Sequence, residues 1–515
     1  MEWITHHGAN DELLSAMPGH NPSNTPAYDF PETRFWERSP RYPQVEEFGD
    51  AAPPSGSASV YPGLPGGEHQ STEYRVFVDD GVTEQELYVF QSDNTNTTGS
   101  RPDMTDANHW ASFDLLSGSM TVWVQQIGGT VTGGDIRPLS DGQTGTVDGG
   151  RFRFDVDGQE QLFINLAGQE EDPLFVFVNP PEVNPPADGD PGVMFFGPGL
   201  HTRTEAESAT QLPDGTTVYV APGAFVEGLF EFEPGADFTI RGRGVISGVN
   251  FDQADFFGEH MIYGTSAAGF QSGDVTIEGV TLTDPPHFII LARGLTTVDN
   301  VKMFGWFQST DGMTVGPNST VTDVFMKVND DGIKLFDSGI TATDVTVWAQ
   351  PTGSAFQLSW NIDRAVTGVD VSGVDVIGCD RTAGTLENNI NNAIVAVRNL
   401  QDDADFSNFE FRDFRIECSV HQLIDISTID DRRNFETPGG SIDDIRFVDW
   451  AVIQRPSLHS VIREEPEPVT PDDEIGLLTF NNFSVAGELI DSLAYNDGAQ
   501  FLEIQGNLPA PVFLP

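Results

Sequence analysis

Two short acidic segments carry residue types that can perform acid–base chemistry. They are STDGMTVGP (309–317) and VNDDGIKLF (328–336), and Asp311 lies 19 positions before Asp330. If the chain coils with a period close to that spacing, Asp311 lies beside Asp330 and Asp331 on adjacent coils. Carboxylates that share a patch resist joint ionisation, so at least one pKa rises. The resulting proton donor and proton acceptor are what hydrolysis of a glycosidic bond requires, although Asp-Gly pairs also occur in ordinary turns.

The neighbours of these aspartates favour the chemical interpretation. The chain has three lysines, Lys302, Lys327 and Lys334, and all of them lie between positions 302 and 334, flanking these aspartates. A lysine kept at position 334 is predicted to pair with a carboxylate or to bind a sugar hydroxyl. Sugar rings stack on aromatic faces, and the same region contains Trp306, Phe307, Trp348 and Trp360. Packing in the core is the alternative for each aromatic residue, and for Phe307 it is the better one.

Strand alternation limits how the aspartates can be arranged. If Ile333 faces the interior of a coil, a strict two-residue period turns Asp331 inward as well. Asp330 and Asp331 both face a groove only if Gly332 or a bend breaks the alternation. The sequence leaves this point open.

A repeat runs through the second half of the chain. A polar residue or glycine followed by an apolar residue recurs at steps of 21, 23, 21 and 24 residues, at Gly279, Asn300, Asp323, Asp344 and Gly368. Later matches step by 40, 36 and 38 residues, at Asn408, Asp444 and Asn482. Irregular repeats rich in β-branched residues and glycine are typical of a parallel β-solenoid. A β-propeller is the alternative, but its blades need ~40–45 residues each, about twice the early steps.

The patterns divide the chain into four segments. Residues 1–71 are rich in Pro, Gly, Ser and Asn and are predicted to be an irregular segment and linker. Residues 72–179 contain short alternating strands separated by turn residues, which predicts an antiparallel β-sandwich. Residues 180–212 are predicted to be a linker and entry segment, and residues 213–515 the solenoid. The expected fold class is therefore all-β, a sandwich followed by a parallel β-helix.

The charge of the chain excludes some partners. There are 79 acidic residues against 25 Lys and Arg, which gives a formal net charge of −54. A surface this negative repels phosphates, so nucleic acid is not an expected partner. Acid excess with so few lysines predicts a protein that works in concentrated salt, where the Debye length falls to ~3 Å and self-repulsion is screened. An acidic secreted protein without a salt requirement is the alternative.

Other features of the chain give weaker information. No run of ~20 apolar residues predicts a membrane span, and the first residues, MEWITHHGANDELL, do not form a signal peptide. No metal constellation is found, so no cofactor is expected beyond nonspecific Na⁺, K⁺ or Ca²⁺ on the acidic surface, and a monomer is expected. Cys379 and Cys418 are 39 residues apart, and either a disulfide or two free thiols fits that spacing.

The pairing of TDGM with NDDGIKL, one coil apart, resembles glycoside hydrolase family 49, the dextranase and isopullulanase family. The resemblance covers roughly residues 72–500. Further segments are similar to that family in order and spacing: HWASFDLLS…DIRPLS (109–140), VYVAPGAFVEGLFEF (218–232), GRGVISGVNF (242–251), DPPHF (284–288) and AFQLSW (355–360). Position 329 departs from the pattern, because Asn329 stands where fungal members often have another acid.

The resemblance implies a sandwich joined to a right-handed parallel β-helix. It also implies hydrolysis of α-glucans with inversion at the anomeric carbon. The three catalytic aspartates of the family fall on Asp311, Asp330 and Asp331. The family pattern suggests Asp330 as general acid, with the other two positioning and deprotonating the water. In an inverting enzyme the acid and base are expected ~6.5–9.5 Å apart.

Four residues are candidate substrate contacts: Lys334, Trp360, Trp306 and His287. Lys334 and Trp360 match positions of the family pattern, Trp306 belongs to the aromatic cluster, and His287 lies within DPPHF. For His287 a structural hydrogen bond is the alternative.

The resemblance favours an extracellular endo-hydrolase that cuts the α-1,6 linkages of dextran. The alternatives are isopullulanase-type hydrolysis of pullulan, polygalacturonase-like hydrolysis of pectin and a non-catalytic glycan-binding solenoid. Pectin is disfavoured because galacturonate needs a basic groove, and no Arg-Ile-Lys segment follows the aspartates.

Overall fold

The computed structural model describes most of residues 56–515. The positions outside the described part are 1–55, 93–106, 168–171, 252–259, 267–268, 271, 308, 361, 381–392, 399, 402, 429–439, 465–474 and 507. Most of the segment predicted to be irregular, residues 1–71, therefore lies outside the described residues. The described residues within 56–266 and 270–515 form one compact unit. In the described ranges no helix is long and apolar enough to cross a membrane.

The first part of this unit is a β-sandwich. Its strands β1 to β11 are Ser57–Val60, Tyr74–Asp79, Glu84–Leu87, Phe90–Gln91, His109–Ser117, Met120–Gln126, Gly134–Arg137, Thr146–Asp148, Arg151–Val156, Glu160–Leu166 and Leu174–Asn179. One sheet has the order β1-β5-β11-β10-β7, with β4 beside β5, and the other has the order β3-β2-β6-β9-β8. The predicted sandwich is thus confirmed. It is antiparallel except where β11 runs parallel to β5, and β1 lies in the segment predicted to be a linker.

Strand β11 is apolar at nearly every position because both of its faces are buried. Leu174, Val176 and Val178 belong to the core between the two sheets of the sandwich. Phe175 and Phe177 point the other way and pack against the solenoid. A continuous apolar run is what a strand covered on both faces requires.

The second part is a parallel β-solenoid. Its strands β12 to β40 are Val193–Phe196, Gly199–Thr202, Thr216–Val220, Ala224–Glu227, Phe230–Phe232, Phe238–Gly242, Val245–Ser247, Ile262–Ser266, Gly269–Phe270, Val275–Glu278, Thr281–Thr283, Ile290–Leu291, Thr296–Asp299, Lys302–Phe304, Met313–Thr314, Thr320–Lys327, Ile333–Lys334, Thr341–Ala349, Phe356–Trp360, Val366–Cys379, Ala393–Arg398, Asp405–Ile416, Gln422–Ser427, Ser441–Val452, Ser460–Arg463, Leu478–Val485, Glu488–Leu489, Leu502–Gln505 and Val512–Leu514. A four-residue helix, α1 (Glu205–Ser208), begins with a capping box at Thr204.

Successive coils pair in parallel, which confirms the predicted β-helix and excludes the propeller. Among the described residues, one sheet has 18 strands and the other has 11, including the path β16-β19-β23-β26-β28-β30-β32-β34-β36-β39. Val, Ile, Leu and Phe side chains fill the interior of the coils. Within residues 180–212, predicted to be a linker and entry segment, β12 and β13 pair in parallel with β14 and β15.

A column of left-handed residues turns the chain at the same corner of successive coils. Its members have φ between 49° and 78° and are Gly279, Asn300, Asp323, Asp344, Gly373, Asp413, Asp449 and Asn482. Only Gly, Asn and Asp occur there, because other side chains are strained in the left-handed region. The repeat found in the sequence is therefore the spacing of these corners.

The sequence alignment of the repeat was wrong at three positions. Gly368, Asn408 and Asp444 lie at a second left-handed corner, five residues before Gly373, Asp413 and Asp449. Both corners have the same sequence signature, a left-handed residue followed by an apolar one. In the later coils, which have both corners, the sequence alignment therefore matched residues of the second corner to residues of the first.

The sandwich packs on the outer face of the 18-stranded sheet. Phe90, Trp110, Phe163 and Phe177 of the sandwich contact an apolar surface of the coils. That surface consists of Phe225, Val245, Phe304, Phe325, Trp348 and Ile377. Buried polar pairs accompany this contact: Arg243 Nε lies 2.9 Å from Asp114 Oδ1, and Lys302 Nζ donates to Asn179 Oδ1 at 2.5 Å.

Cys379 and Cys418 form a disulfide, with their Cα atoms 6.0 Å apart. Of the two alternatives that the spacing of the cysteines left open, a disulfide or two free thiols, the structure has the disulfide. The bond joins the end of β31 to the segment after β33, the next strand in the same sheet.

Candidate active site

The structure brings Asp311, Asp330 and Asp331 together at the start of two short strands. Met313 of β26 pairs with Ile333 of β28, and the amide of Gly312 donates to the carbonyl of Asp331 at 2.8 Å. Asp311 and Asp331 therefore occupy the same position on successive coils. One carboxylate oxygen from each of the three aspartates lies within 4.8 Å of the others.

Gly332 breaks the strand alternation in front of β28. Ile333 belongs to the interior core, yet the carboxylate of Asp331 reaches the amine of Lys334, whose side chain leaves the strand on the other face. The coils are too close here for a side chain, because a Cβ on Gly332 would lie 2.6 Å from the carbonyl oxygen of Ala355. A Cβ on Gly312 would lie 2.4 Å from the carbonyl oxygen of Gly332. The two glycines let the aspartates of adjacent coils share one face.

Lys334 lies between two of the aspartates. Its Nζ is 2.6 Å from Asp311 Oδ1 and 2.5 Å from Asp331 Oδ2, and the side chain is buried. Phe288 and Phe336 approach the same amine, with ring centroids at 5.2 Å and 5.6 Å. Burial by itself lowers the pKa of Lys334, but attraction to Asp311, Asp331 and Asp330 raises it above its ordinary value. The lysine is therefore charged and holds two carboxylates.

Two of the three aspartates have raised pKa values. Burial, together with repulsion from Asp311 and Asp331, raises the pKa of Asp330 well above its ordinary value. Burial also raises the pKa of Asp311, to about 6, although Lys334 opposes the shift. Asp330 keeps some exposure, whereas Asp311 and Asp331 are buried. With its raised pKa and its partial exposure, Asp330 is the aspartate best suited to hold a proton and present it to a ligand.

The distances between single oxygens do not test the gap of ~6.5–9.5 Å expected between the two carboxyl groups of an inverting pair. The nearest oxygens of the three aspartates lie within 4.8 Å, so this distance does not carry the stereochemical assignment. Three carboxylates this close have the composition of a cation site. Lys334 Nζ already lies between two of them, so a metal ion would have to displace a buried amine. The donor set is therefore better suited to proton transfer than to holding a metal.

The environment of Trp306 does not fit its predicted role as a substrate contact. Its side chain is only 2% exposed, and its Nε1 donates to Asp284 Oδ1 at 3.3 Å. The indole also packs on Phe307 at a centroid distance of 3.7 Å. No face of Trp306 is left for a sugar ring, because the coils have enclosed it.

The other two candidate contacts keep partial exposure. Trp360 ends β30, two coils beyond Asp311, and packs partly against the core. His287 lies on the coil before Asp311 and stacks on His260 at a centroid distance of 5.0 Å. Burial lowers the pKa of His260 to about 3, so that imidazole is neutral. These two positions border the aspartates on opposite sides along the solenoid axis.

The sequence did not identify the residues that support the aspartates from the neighbouring coils. Asn329 was noted only as a departure from the family pattern, but it bonds to Trp306 on one side and to Thr352 on the other. The amide of Ser354 donates to Asp331 Oδ1 at 3.2 Å. Asp284 accepts bonds from Ser247 and Trp306. In the NDDG segment only the two aspartates were recognisable as candidates. Hydrogen bonds from neighbouring coils leave no motif in the local sequence.

Comparisons with known proteins find relatives in sequence and in structure. A dextranase of Arthrobacter sp. (strain CB-8) is 24% identical over 368 residues, which cover 64% of this chain and 57% of that enzyme. An isopullulanase of Aspergillus niger is 27% identical over 350 residues, which cover 57% of this chain and 61% of that enzyme. The chain thus spans somewhat over half the length of these curated relatives. No protein-family model matches the chain.

The fold is similar to that of Dex49A from Penicillium minioluteum. The TM-score is 0.63 at 18% sequence identity, and the likeness covers 88% of this chain and 96% of that one. At this identity the likeness concerns the fold.

Proposed function

The chain belongs to glycoside hydrolase family 49, and on that premise we propose that it cleaves α-1,6-glucosidic linkages within dextran. The observation that carries the proposal is the division of the three aspartates: Asp330 is partly exposed with a raised pKa, while Asp311 and Asp331 share the charged Lys334. One site then offers both a protonated acid and carboxylates that can accept a proton.

In the proposed reaction Asp330 gives its proton to the glycosidic oxygen as the bond from that oxygen to the anomeric carbon breaks. A water attacks the anomeric carbon from the opposite face and loses its proton to Asp311 or Asp331. The two carboxylates are coupled through Lys334, so the site titrates as a group. The product has inverted configuration because one displacement takes place.

The charges near the site favour a neutral polymer over pectin. Lys334 is matched by Asp311 and Asp331. Further along the 11-stranded sheet, Arg398 and Arg463 both pair with Asp425. Each of these cations already pairs with a carboxylate, whereas binding a negatively charged galacturonate chain would require cations that are not neutralised in this way. Dextran and pullulan are both uncharged, and pullulan is the second candidate because an isopullulanase is among the relatives.

We place the enzyme outside the cell and take it to act as a monomer. The disulfide Cys379–Cys418 suits an oxidising compartment, and a polymeric glucan is met there. The proposed catalytic residues come from two successive coils of one chain.

The test is product analysis in concentrated salt with dextran and pullulan side by side, following the anomers by proton NMR at early times. Isomalto-oligosaccharides released from dextran as the β-anomer are expected. Products from pullulan alone would keep the mechanism and change the linkage. An α-anomer would contradict inversion, and absence of hydrolysis on both glucans would contradict the proposed function.

A further inference from the structure

A row of hydrogen bonds crosses successive coils and ends beside the proposed acid. Ser247 Oγ donates to Asp284 Oδ2 at 2.8 Å, and Trp306 Nε1 donates to Asp284 Oδ1 at 3.3 Å. Asn329 Nδ2 then donates to the carbonyl oxygen of Trp306 at 3.0 Å. Asn329 is the residue before Asp330, so the row reaches the catalytic segment through the side chain of Asn329.

Thr352, on the following coil, binds Asn329 through both its hydroxyl group and its backbone amide. Its hydroxyl oxygen lies 2.7 Å from the carbonyl oxygen of Asn329 and 2.9 Å from Asn329 Oδ1. Its backbone amide donates to Asn329 Oδ1 at 3.2 Å. Asn329 is 1% exposed, so these contacts lie away from water, where a hydrogen bond constrains geometry most strongly.

The turn that contains Thr352 touches both proposed catalytic neighbours. Gly353 has φ of 80° and lies so close to Asp330 that a Cβ there would be 1.9 Å from the carbonyl carbon of Asp330. The amide of Ser354 donates to Asp331 Oδ1 at 3.2 Å. A shift of this turn would therefore move the backbone of Asp330 and a hydrogen-bond donor of Asp331 together.

We propose that Asn329 and Thr352 are positioning residues, and that their contact sets the distance of Asp330 from the Asp311–Lys334–Asp331 group. The inference rests on the proposed function, in which Asp330 is the acid. Asparagine suits position 329 because its amide group donates to Trp306 while its oxygen accepts from Thr352. An aspartate would lose the donor and add a fourth negative charge beside three carboxylates.

The first test compares Thr352→Val with Thr352→Ser. Valine keeps the shape of threonine and removes the hydroxyl, whereas serine keeps the hydroxyl. For Thr352→Val we expect kcat to fall about tenfold or more, since small misplacements of a catalytic group are costly, with KM within about twofold. Thr352→Ser should restore most of kcat. Thr343→Val is the matched control, because Thr343 Oγ1 donates to Thr322 Oγ1 in a cross-coil contact on the other sheet.

The pH profile separates positioning from a purely structural role. If Asp330 moves away from the other carboxylates, its pKa falls, and the alkaline limb of kcat/KM moves down by about half a unit or more. Asn329→Asp should move that limb upward, because the added charge disfavours ionisation of Asp330. A Thr352→Val enzyme with a lower melting temperature but unchanged kcat and pH limb would overturn the proposal.

An infrared titration of protonated carboxyl groups tests the same point without turnover. The Asp330 band is the one that Asp330→Asn removes, and in Thr352→Val it should lose its proton at lower pH than in the wild type. If the wild type hydrolyses neither glucan, the proposed function fails, and this titration still decides about the positioning residues. An Asp330 band that titrates identically in both proteins would overturn the inference.

Discussion

The amine of Lys334 lies 2.6 Å from a carboxylate oxygen of Asp311 on the preceding coil. It is also 2.5 Å from Asp331. One buried cation thus joins carboxylates from two coils. The same cation opposes the rise that burial causes in the pKa of Asp311. The predictions about the site depend on this relationship.

Replacing Asp330 tests the acid directly. Asp330→Asn keeps the size of the side chain and removes the proton that the leaving oxygen needs. Turnover should fall by about 10²–10⁴-fold, while the melting temperature stays nearly unchanged because a carboxyl whose pKa burial already raises is replaced by a neutral amide of the same size. Initial rates and a melting curve in the same buffer measure both.

Asp344→Asn is the control for Asp330→Asn, because Asp344 occupies a left-handed corner that asparagine also tolerates. It should keep wild-type turnover. Substantial activity in Asp330→Asn would show that another group is the acid.

Replacing Lys334 should move the pH profile. In Lys334→Met the cation that lowers the pKa of Asp311 is gone, so that pKa rises above about 6. The base must be ionised, and the acidic limb of kcat/KM therefore moves to higher pH. Leaving buried carboxylates unpaired also costs about 3–5 kcal/mol of folding stability.

Lys327→Met is the matched control for Lys334→Met. Lys327 is equally buried and pairs with Asp380 at 3.3 Å, away from the aspartates. The Lys327→Met substitution should lower the free energy of unfolding without moving the acidic limb of kcat/KM. An acidic limb that stays in place in Lys334→Met would contradict the role given to the lysine.

Glu417 should make stability fall as pH rises. Its side chain meets the sandwich at the amide of Leu139 and at Arg137, and burial raises its pKa to about 8. Below an unfolded-state pKa of about 4.3 both states hold the proton. Between that pH and about 8 the unfolded state loses the proton first, so stability decreases. Unfolding free energies at pH 5 and pH 8 in equal salt should differ by on the order of 3 kcal/mol from this group.

Glu417→Gln should flatten this dependence. Glu86→Gln, at an exposed pair with Arg75, is the control and should change stability by less than about 1 kcal/mol at either pH. A slope that is equal in the wild type and in Glu417→Gln would contradict the assignment.

Reduction of the disulfide should destabilise the solenoid. Cys379 and Cys418 close a loop with a sequence separation of 39, for which chain entropy gives about 4 kcal/mol. Denaturant unfolding with and without reductant measures the difference. The double variant Cys379→Ser/Cys418→Ser should match the reduced protein and ignore reductant, and equal stability of both forms would refute the prediction.

Low salt should lower the melting temperature. The chain has no exposed lysine, because Lys302, Lys327 and Lys334 are 1%, 3% and 6% exposed. At the surface its excess of acidic residues, which gives a net charge of −54, is therefore offset only in part, and by arginine alone. Melting curves from about 3 M to about 0.1 M NaCl measure the effect, with sucrose as a control that does not screen charge. A melting temperature that is constant across the series would rule out the salt requirement.

The sequence by itself determined the architecture and the identity of the central aspartates. Corner residues such as Asn300 and Asp323 recur because each coil needs a left-handed turn, and that need is local. Asp311 and Asp331 lie beside each other because each comes two residues before a short strand, and those strands, β26 and β28, pair in parallel. The sandwich strands could be predicted because apolar inner positions alternate with polar outer ones. Strand β11 could be predicted because both of its faces are covered, which makes its sequence a continuous apolar run.

The tertiary structure decided what depends on contact between coils. Gly368 was placed at the wrong corner because both corners share one signature, and only strand pairing distinguishes them. Trp306 had the composition of a sugar platform, but neighbouring coils bury it and bind its indole. Asn329 and Lys334 obtained their roles from partners on other coils. Such partners are set by where each side chain leaves its strand and by the lengths of the turns, which a one-dimensional pattern does not encode.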